Sequence, residues 1–327
     1  MRDEILRRLV ISVPQLLLMS LITFLFIDLA PGDILAKYRF DPRISSETVE
    51  RIERKYHFDK PAIVQYGYWL TRLVRLDLGY SFSREAPVSS VIAERFLNTM
   101  TLSLFTILLT WAVAIPLGIY AAVHQYSWGD RILSVISYFG MSLPNFFLAL
   151  VLMYLVYAAG ELPVISGIPI GGMVSAGYER LPWYGKLADR AAHLVLPVIV
   201  LTVGALAGLQ RISRGNMLEE FRKQYVTTAR AKGLPEHQVI YKHALRNAVN
   251  PLITLFGFEF STLLSGAALL EIIVNWPGLG SLMLAAVRAQ DTFLVMGSML
   301  MGGVMLILGN LVADILLVVV DPRVRTR

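Results

Sequence analysis

The chain has 327 residues, of which 55% are hydrophobic and only 17% are charged. A soluble domain carries roughly 25% charged residues, so this composition argues against a soluble or disordered protein and for a membrane protein. The absence of cysteine excludes disulfides and thiolate chemistry. A formal charge of +6 is typical of basic cytoplasmic loops, and we expect no nucleic-acid partner.

Six stretches are long and apolar enough to cross about 30 Å of hydrocarbon, which takes about 20 residues. They predict an all-α protein with six transmembrane helices. We place these helices at residues 9–30, 99–123, 132–157, 193–209, 252–274 and 293–320. Several contain a proline, which membrane helices tolerate, at Pro14, Pro116, Pro144 and Pro197.

The distribution of lysine and arginine predicts the orientation of these helices. With the amino terminus inside, the four cytoplasmic segments hold 15 Lys and Arg residues, against 4 in the two shorter outside segments. The segment 31–98 is not counted, because loops longer than about 60 residues cross a membrane largely regardless of charge. Both termini are therefore predicted to be cytoplasmic. The first apolar run, at about 22 residues, is too long for a signal peptide and predicts a retained helix.

The predicted organisation has four parts. Residues 1–30 form the cytoplasmic amino terminus and the first helix, and residues 31–98 form a small extracytoplasmic helical domain. Residues 99–320 form the membrane core, which includes a long cytoplasmic loop at 210–251, and residues 321–327 form a cytoplasmic tail.

The outside domain is predicted to contain two helices. The first runs from Ser46 to His57 and carries a Glu50–Arg54 pair in the favourable order. The second follows Pro61 and has one apolar face, made by Ile63, Tyr66, Trp69 or Leu70, and Leu73. We expect its aromatic cluster to pack the domain or sit at the membrane interface, with direct substrate contact as the alternative; the cluster is Tyr66, Tyr68 and Trp69.

The loop 210–251 contains closely spaced residues that are typical of helix starts and helix ends. Asn216 is placed to cap a helix that Gly233 would end in the left-handed conformation, and Pro235 would open a second helix. Two short helices at a sharp Gly-Leu-Pro corner form a compact projection that a partner protein could bind. The alternative is a basic surface helix lying against anionic lipid, and the residues alone do not decide between the two.

This loop resembles the signature loop of ABC importer permeases, most closely in the dipeptide, oligopeptide and nickel branch. The resemblance lies in YVTTARAKG at Tyr225–Gly233 and HALRNA at His243–Ala248. Thr227, Thr228 and Ala229 stand where the general pattern has Glu-Ala-Ala, as in the peptide branch. Other segments agree in order along nearly the whole chain, namely PAIVQY from Pro61, Asp77-Leu78-Gly79, Glu271, Trp276-Pro-Gly-Leu-Gly280 and Asp321-Pro-Arg323.

The resemblance implies a type I ABC importer permease fold in a bacterial or archaeal cytoplasmic membrane. It implies transport of di- or oligopeptides, or of nickel or an oligosaccharide by the same machinery. The implied partners are a second, paralogous permease, two cytoplasmic ABC ATPases, an extracytoplasmic substrate-binding protein and the lipid bilayer. It assigns ATPase coupling to Tyr225, Thr227, Thr228, Ala229, Arg230, Ala231, Lys232, Gly233, Leu234 and Pro235, with the two alanines allowing close approach and Arg230 and Lys232 pairing with acidic groups of the ATPase.

Catalytic and metal-binding patterns are absent from the sequence. No P-loop, HExxH or GxSxG motif occurs, so we expect no cofactor, no metal and no enzymatic activity in this chain. Ionisable residues inside spans are costly and often functional. Glu259 is either a hydrogen-bonding group between helices or part of the translocation path, and an outer gate is assigned to Glu271, Trp276, Pro277 and Gly278. An ion-coupled secondary transporter using Glu259 and Asp314 is the alternative function.

Overall fold

The computed structural model describes residues 2–30, 34–159, 167–266 and 268–320. The described chain is mainly helical, with one short antiparallel hairpin in which strand β1 (Tyr80–Ser81) pairs with β2 (Ala86–Pro87). A 3₁₀ turn spans Tyr178–Arg180 and a π-helix spans Val239–Ala244. The α-helices in order are α1 Arg2–Leu29, α2 Ala36–Arg39, α3 Ser46–Tyr56, α4 Ala62–Leu73, α5 Val88–Val123, α6 Trp128–Ser142, α7 Asn145–Ala158, α8 Trp183–Phe221, α9 Gln224–Ala231, α10 Glu236–Gln238, α11 Leu245–Ala248, α12 Asn250–Gly266, α13 Ala268–Ile273, α14 Leu279–Arg288 and α15 Thr292–Val320.

Four helices in the described part of the chain are individually long and apolar enough to cross a membrane. They are Val10–Leu29 within α1, all of α5, all of α8, and Thr292–Val318 within α15. They correspond to the first, second, fourth and sixth predicted spans, although α5 and α8 extend well beyond the predicted bounds. Counting α6 and α7 as one bent span brings the number to five. The predicted fifth span falls on α12 and α13, and residue 267 between them lies outside the described residues.

The third predicted span is not a continuous helix, so the prediction of one helix over 132–157 was wrong. The chain bends by 105° between α6 and α7. Leu143 takes an extended conformation with φ −89° and ψ 124°, and Pro144 caps α7. A proline lacks the N–H that continues a helix and pushes the preceding residue out of the helical region, which accounts for the break.

The first compact unit comprises residues 1–99 and 277–307. Its core includes Trp69 and Tyr66 of α4, and the Tyr66 hydroxyl lies 2.8 Å from Ser20 Oγ and donates to the Leu17 carbonyl at 3.0 Å. Two of the three aromatic residues therefore pack the unit as expected, while Tyr68 is exposed and stacks on His57. The predicted apolar face was wrong at Ile63, which is 64% exposed.

The helix preceding α4 follows the sequence prediction closely. Ser45 caps α3 by accepting from the Thr48 amide, and His57 ends it with a left-handed φ of 61°. The predicted Glu50–Arg54 pair forms at 2.9 Å. In the same unit, the Asp291 carboxylate accepts hydrogen bonds from Ser81 and Ser83, which ties the hairpin to the segment before α15.

The second compact unit comprises residues 100–276 and 308–327, and α8 lies at its centre. Helices α6 and α7 both pack on α8. Gly118 of α5 allows a close helix contact, since a Cβ there would lie 2.6 Å from Ser213 Oγ. Ser137 of α6 donates a hydrogen bond of 2.8 Å to Gln210 Oε1 of α8. These contacts fix the end of α8 from which the candidate functional site projects.

Candidate functional site

The first part of the site is a corner that follows α8. The prediction that Asn216 caps a new helix was wrong, because α8 continues through Asn216 to Phe221. The Asn216 side chain instead donates to the Ala248 carbonyl at 3.1 Å. The chain leaves the helix at Arg222 and Lys223, and α9 begins at Gln224. The predicted coupling helix is therefore shorter than expected and is separate from the membrane helix.

The Gly-Leu-Pro segment separates two helices, as predicted. Gly233 has a left-handed φ of +74°. Its amide donates to the Arg230 carbonyl at 2.9 Å, and the Leu234 amide reaches the Ala229 carbonyl at 3.4 Å, which closes the end of α9. Pro235 then caps α10. A Cβ at position 233 would meet no atom within 4 Å, so glycine is needed here for its backbone conformation and not for space.

The inner face of the corner is a small apolar core. Val226 and Ala229 of α9 are buried and cluster with Met217 of α8 and with Val239 and Ala244 of the π-helix. The expectation that Ala229 would face a partner was therefore wrong, because this side chain is only 5% exposed and packs inward. Burial of these residues holds α9 as a rigid piece against α8.

The outer face of the corner carries most of the remaining predicted coupling residues. We call this set the corner surface. Leu234 is half-buried and lies at its edge. The exposed members are Tyr225, Thr227, Thr228, Arg230, Ala231, Lys232, Gly233 and Pro235.

Two ion-pair networks brace the corner surface. Arg230 bonds Glu236 across the turn, with Nη2 2.7 Å from Oε1, so Arg230 already has an acidic partner within this chain. The Arg230 guanidinium lowers the pKa of the Glu236 carboxyl by this hydrogen bond. At the start of α9, Glu220 binds both the Lys223 ammonium and the Tyr225 hydroxyl.

Sequence reasoning missed the π-helix at Val239–Ala244. The segment was predicted as ordinary helix, and nothing in its composition distinguishes the two forms. The wider turn allows Val239, Ile240 and Ala244 to be buried together beneath α9. Such insertions often occur at functional sites.

A second feature missed from the sequence is an ion pair near this corner between a buried aspartate and a half-buried arginine. Arg214 of α8 binds Asp130 of α6 in a bidentate manner, with both nitrogen–oxygen distances at 2.7 Å. Asp130 also accepts from the Tyr126 amide at 2.9 Å and donates its own amide to Ser127 Oγ. The Ser-x-x-Asp pattern at Ser127 was the available signal, since it is typical of a helix start.

The second part of the site concerns the ionisable residues of the membrane core. Glu259 of α12 accepts a hydrogen bond of 2.9 Å from Trp111 Nε1 of α5. The same residue lines a cavity of about 370 Å³. Both alternatives for Glu259 therefore describe something present in the structure: it bonds a neighbouring helix and it faces an open space.

The predicted outer-gate residues divide between the two compact units. In the second unit, Glu271 and Trp276 are both buried, and the Trp276 amide donates to the Glu271 carbonyl at 2.7 Å. In the first unit, the Pro277 carbonyl accepts from Asn98 Nδ2 at 2.9 Å and Gly278 caps α14. The boundary between units thus falls within the predicted gate, between residues 276 and 277. Among the described residues, no three His, Asp or Glu side chains converge as a metal site.

Comparison with known proteins covers the whole chain. Residues 114–326 match the family described as the binding-protein-dependent transport system inner membrane component, and residues 1–104 match the amino-terminal part of such components. The chain is 36% identical over 325 residues to the oligopeptide transport system permease protein AppB of Bacillus subtilis, covering 99% of both. It is also 36% identical to the dipeptide transport system permease protein DppB of Escherichia coli K12 over 336 residues, again covering 99% of both. A putative peptide transport system permease of Brucella abortus strain 2308 is 36% identical over 321 residues, with 98% of each chain covered.

Proposed function

The chain belongs to the family of binding-protein-dependent transport system inner membrane components, and on that premise we propose that it is the channel-forming subunit of an ABC importer for di- or oligopeptides. The observation that carries the substrate class is full-length similarity to permeases that are named for oligopeptides and dipeptides. The sequence contains no P-loop, so ATP hydrolysis belongs to separate subunits. Nickel or an oligosaccharide is the alternative cargo.

The proposed membrane topology has six spans with both termini in the cytoplasm. The bent pair α6–α7 counts as the third span, and α12 with α13 counts as the fifth. The excess of lysine and arginine in the segments assigned to the cytoplasm supports this orientation. In this arrangement the corner surface faces the cytoplasm and the helices α2 to α4 lie outside, where a substrate-binding protein would deliver cargo.

The corner surface is proposed as the docking site for an ABC ATPase. Its support is mechanical: α9 is held by a buried core beneath it and by ion pairs at both ends. A rigid element can transmit a push from the ATPase into α8, whereas a flexible loop would absorb it. A second permease and a second ATPase would complete the importer, and alternating access would move the cargo past an outer gate at residues 271–278.

Reconstitution tests this proposal directly. The chain is purified with its second permease and two ATPases, placed in liposomes, and supplied with its binding protein and radiolabelled trialanine. We expect uptake that requires ATP and the binding protein. Uptake by this chain alone, driven by a pH gradient and indifferent to ATP, would show a secondary transporter instead. Transport of nickel or an oligosaccharide, but no peptide, would refute the substrate assignment.

A further inference from the structure

A cavity of about 370 Å³ lies inside the second unit, between α5, α7, α8 and α12. This volume falls within the range of roughly 300–1,000 Å³ that is usual for ligand pockets. The lining is largely apolar, with Leu201, Leu209 and Leu255 among its walls. Three polar side chains interrupt the apolar wall, and they come from three different helices: Thr110, Asn145 and Glu259.

Two of these polar groups keep hydrogen-bonding capacity among the described residues. Glu259 Oε2 accepts from Trp111 Nε1, which orients the carboxylate and leaves Oε1 to accept from a ligand. Thr110 is 1% exposed, and its hydroxyl has no hydrogen-bond partner among the described residues. Polar groups in a membrane core are costly unless they are satisfied, and they commonly mark the route of a solute.

Three small residues of α8 leave space in the cavity wall. They are Gly204, Ala205 and Gly208. A Cβ at position 204 would lie 2.6 Å from Asn145 Oδ1, so Gly204 makes room for the asparagine amide. A Cβ at position 208 would meet no atom within 4 Å, so Gly208 faces open space. The small residues therefore both seat a polar group and leave volume for a ligand.

We propose that this cavity holds the amino-terminal end of a peptide in transit, with Glu259 accepting hydrogen bonds from its α-ammonium group. This inference rests on the proposed function and names the part of the cargo that the permease recognises. An ammonium group offers three donors and no acceptor, which suits the open oxygen of a carboxylate. Glu259 is half-buried, and partial removal from water strengthens the pairing of opposite charges and makes an unpaired carboxylate less favourable.

Thr110 and Asn145 suit the next part of the same ligand. A hydroxyl and a carboxamide can each donate and accept, as the C=O and N–H of the first peptide bond require. Recognition of the amino terminus and the backbone does not depend on the side chains of the cargo. The cavity would therefore accept peptides of different sequence while excluding a peptide whose amino group is blocked.

The natural absence of cysteine makes this inference testable by thiol labelling. A Gly208→Cys variant places one thiol in the cavity, at a position where an added Cβ meets no atom within 4 Å. The full complex with its second permease and two ATPases is purified in detergent, so that peptide reaches the cavity without selection by the binding protein. The rate of modification by N-ethylmaleimide is then measured with trialanine, with N-acetyl-trialanine, and without peptide.

We expect trialanine to slow the labelling of the introduced thiol, by about tenfold at a concentration of about ten times its Kd. N-acetyl-trialanine should give little protection. Adding Glu259→Gln should raise the half-protecting concentration of trialanine by about tenfold or more, because a charge-assisted hydrogen bond is lost. Glu47→Gln, on an exposed helix of the first unit, is the matched control and should change nothing. A thiol at Glu47→Cys should be labelled equally with and without peptide.

Two results would overturn the inference. One is equal protection by the free and the acetylated peptide, which needs no change at Glu259 and so stands even if that variant fails to assemble. The other is the absence of any protection in a complex that still takes up trialanine in liposomes. In that second case the proposed importer function survives and only the cavity assignment fails, whereas loss of ATP-dependent peptide uptake would remove the premise itself.

Discussion

Replacing Gly233 with asparagine, alanine and valine gives a graded test of the corner. The residue has a φ of +74°, and a Cβ there would touch nothing within 4 Å. Because asparagine is larger than alanine but tolerates the left-handed conformation better, the order of these two variants separates a backbone effect from obstruction of a docked partner. A left-handed conformation costs an ordinary L-residue about 1–2 kcal/mol, less for asparagine and more for a β-branched residue.

This free-energy cost lowers the fraction of molecules in which the corner is correctly formed. A change of about 1–2 kcal/mol alters a local equilibrium by a factor of roughly 5–30. We expect coupled uptake to fall in the order glycine, asparagine, alanine, valine, with valine inserted in the membrane but largely uncoupled. The buried residues beneath α9 are unchanged in all three variants, so the protein should still fold and reach the membrane.

The assay measures three quantities in the reconstituted importer: the amount of inserted protein, the ATP hydrolysis stimulated by the loaded binding protein, and the peptide uptake per ATP. The expected signature is normal insertion with a falling ratio of uptake to hydrolysis across the series. Equal activity for alanine and asparagine would refute the backbone argument. Normal uptake by Gly233→Val would refute the coupling role of the corner itself.

Three further predictions concern other parts of the second unit. Asp130→Asn should lower the melting temperature and membrane yield of the complex, because it removes the bidentate partner of Arg214; the loss should be below the value of about 3–5 kcal/mol for a fully buried pair, since the Arg214 side chain is 24% exposed. Restoration by the exchange of Asp130 and Arg214 would confirm the pairing, and an unchanged melting temperature would contradict it. Gly204→Ala should reduce uptake, because its Cβ would lie 2.6 Å from Asn145 Oδ1, whereas Gly215→Ala, also on α8 but with no atom within 4 Å of its Cβ, should be tolerated; equal uptake by both would contradict the close contact. The depressed pKa of Glu236 adds stability above its unfolded-state pKa, and this stability is lost as the pH falls through the folded-state pKa. Because the pair is exposed, Glu236→Gln should cost no more than about 1 kcal/mol at neutral pH, measured by urea unfolding.

The corner was predictable because its determinants are local. A glycine followed closely by a proline specifies a left-handed helix end and a new helix start, whatever surrounds them. The α3 cap and its ion pair were predictable for the same reason. The carboxyl-terminal end of α8 was not predictable. Its continuation through Asn216 depends on packing against other helices, and no local sequence pattern indicates that packing.

The four prolines of the predicted spans also show the limit of local sequence patterns. Pro14, Pro116 and Pro197 lie inside intact helices, whereas Pro144 separates two helices bent by 105°. The dual position of Glu259, bonded to Trp111 and facing a cavity, likewise required the arrangement of three other helices. Sequence reasoning named the residue and left both roles open.

The bend at Pro144 also has a consequence for solvation. A helix that ends leaves its last four carbonyls without intrahelical donors, and lipid tails cannot satisfy them. The residue that follows the proline, Asn145, lines the cavity that contains Glu259. The end of α6 and a wall of mixed polarity therefore lie close together along the proposed third span. A non-helical segment within a membrane is tolerated where it borders a water-accessible cavity, and water in that cavity would partly hydrate the charged end of the proposed peptide as it leaves bulk solvent.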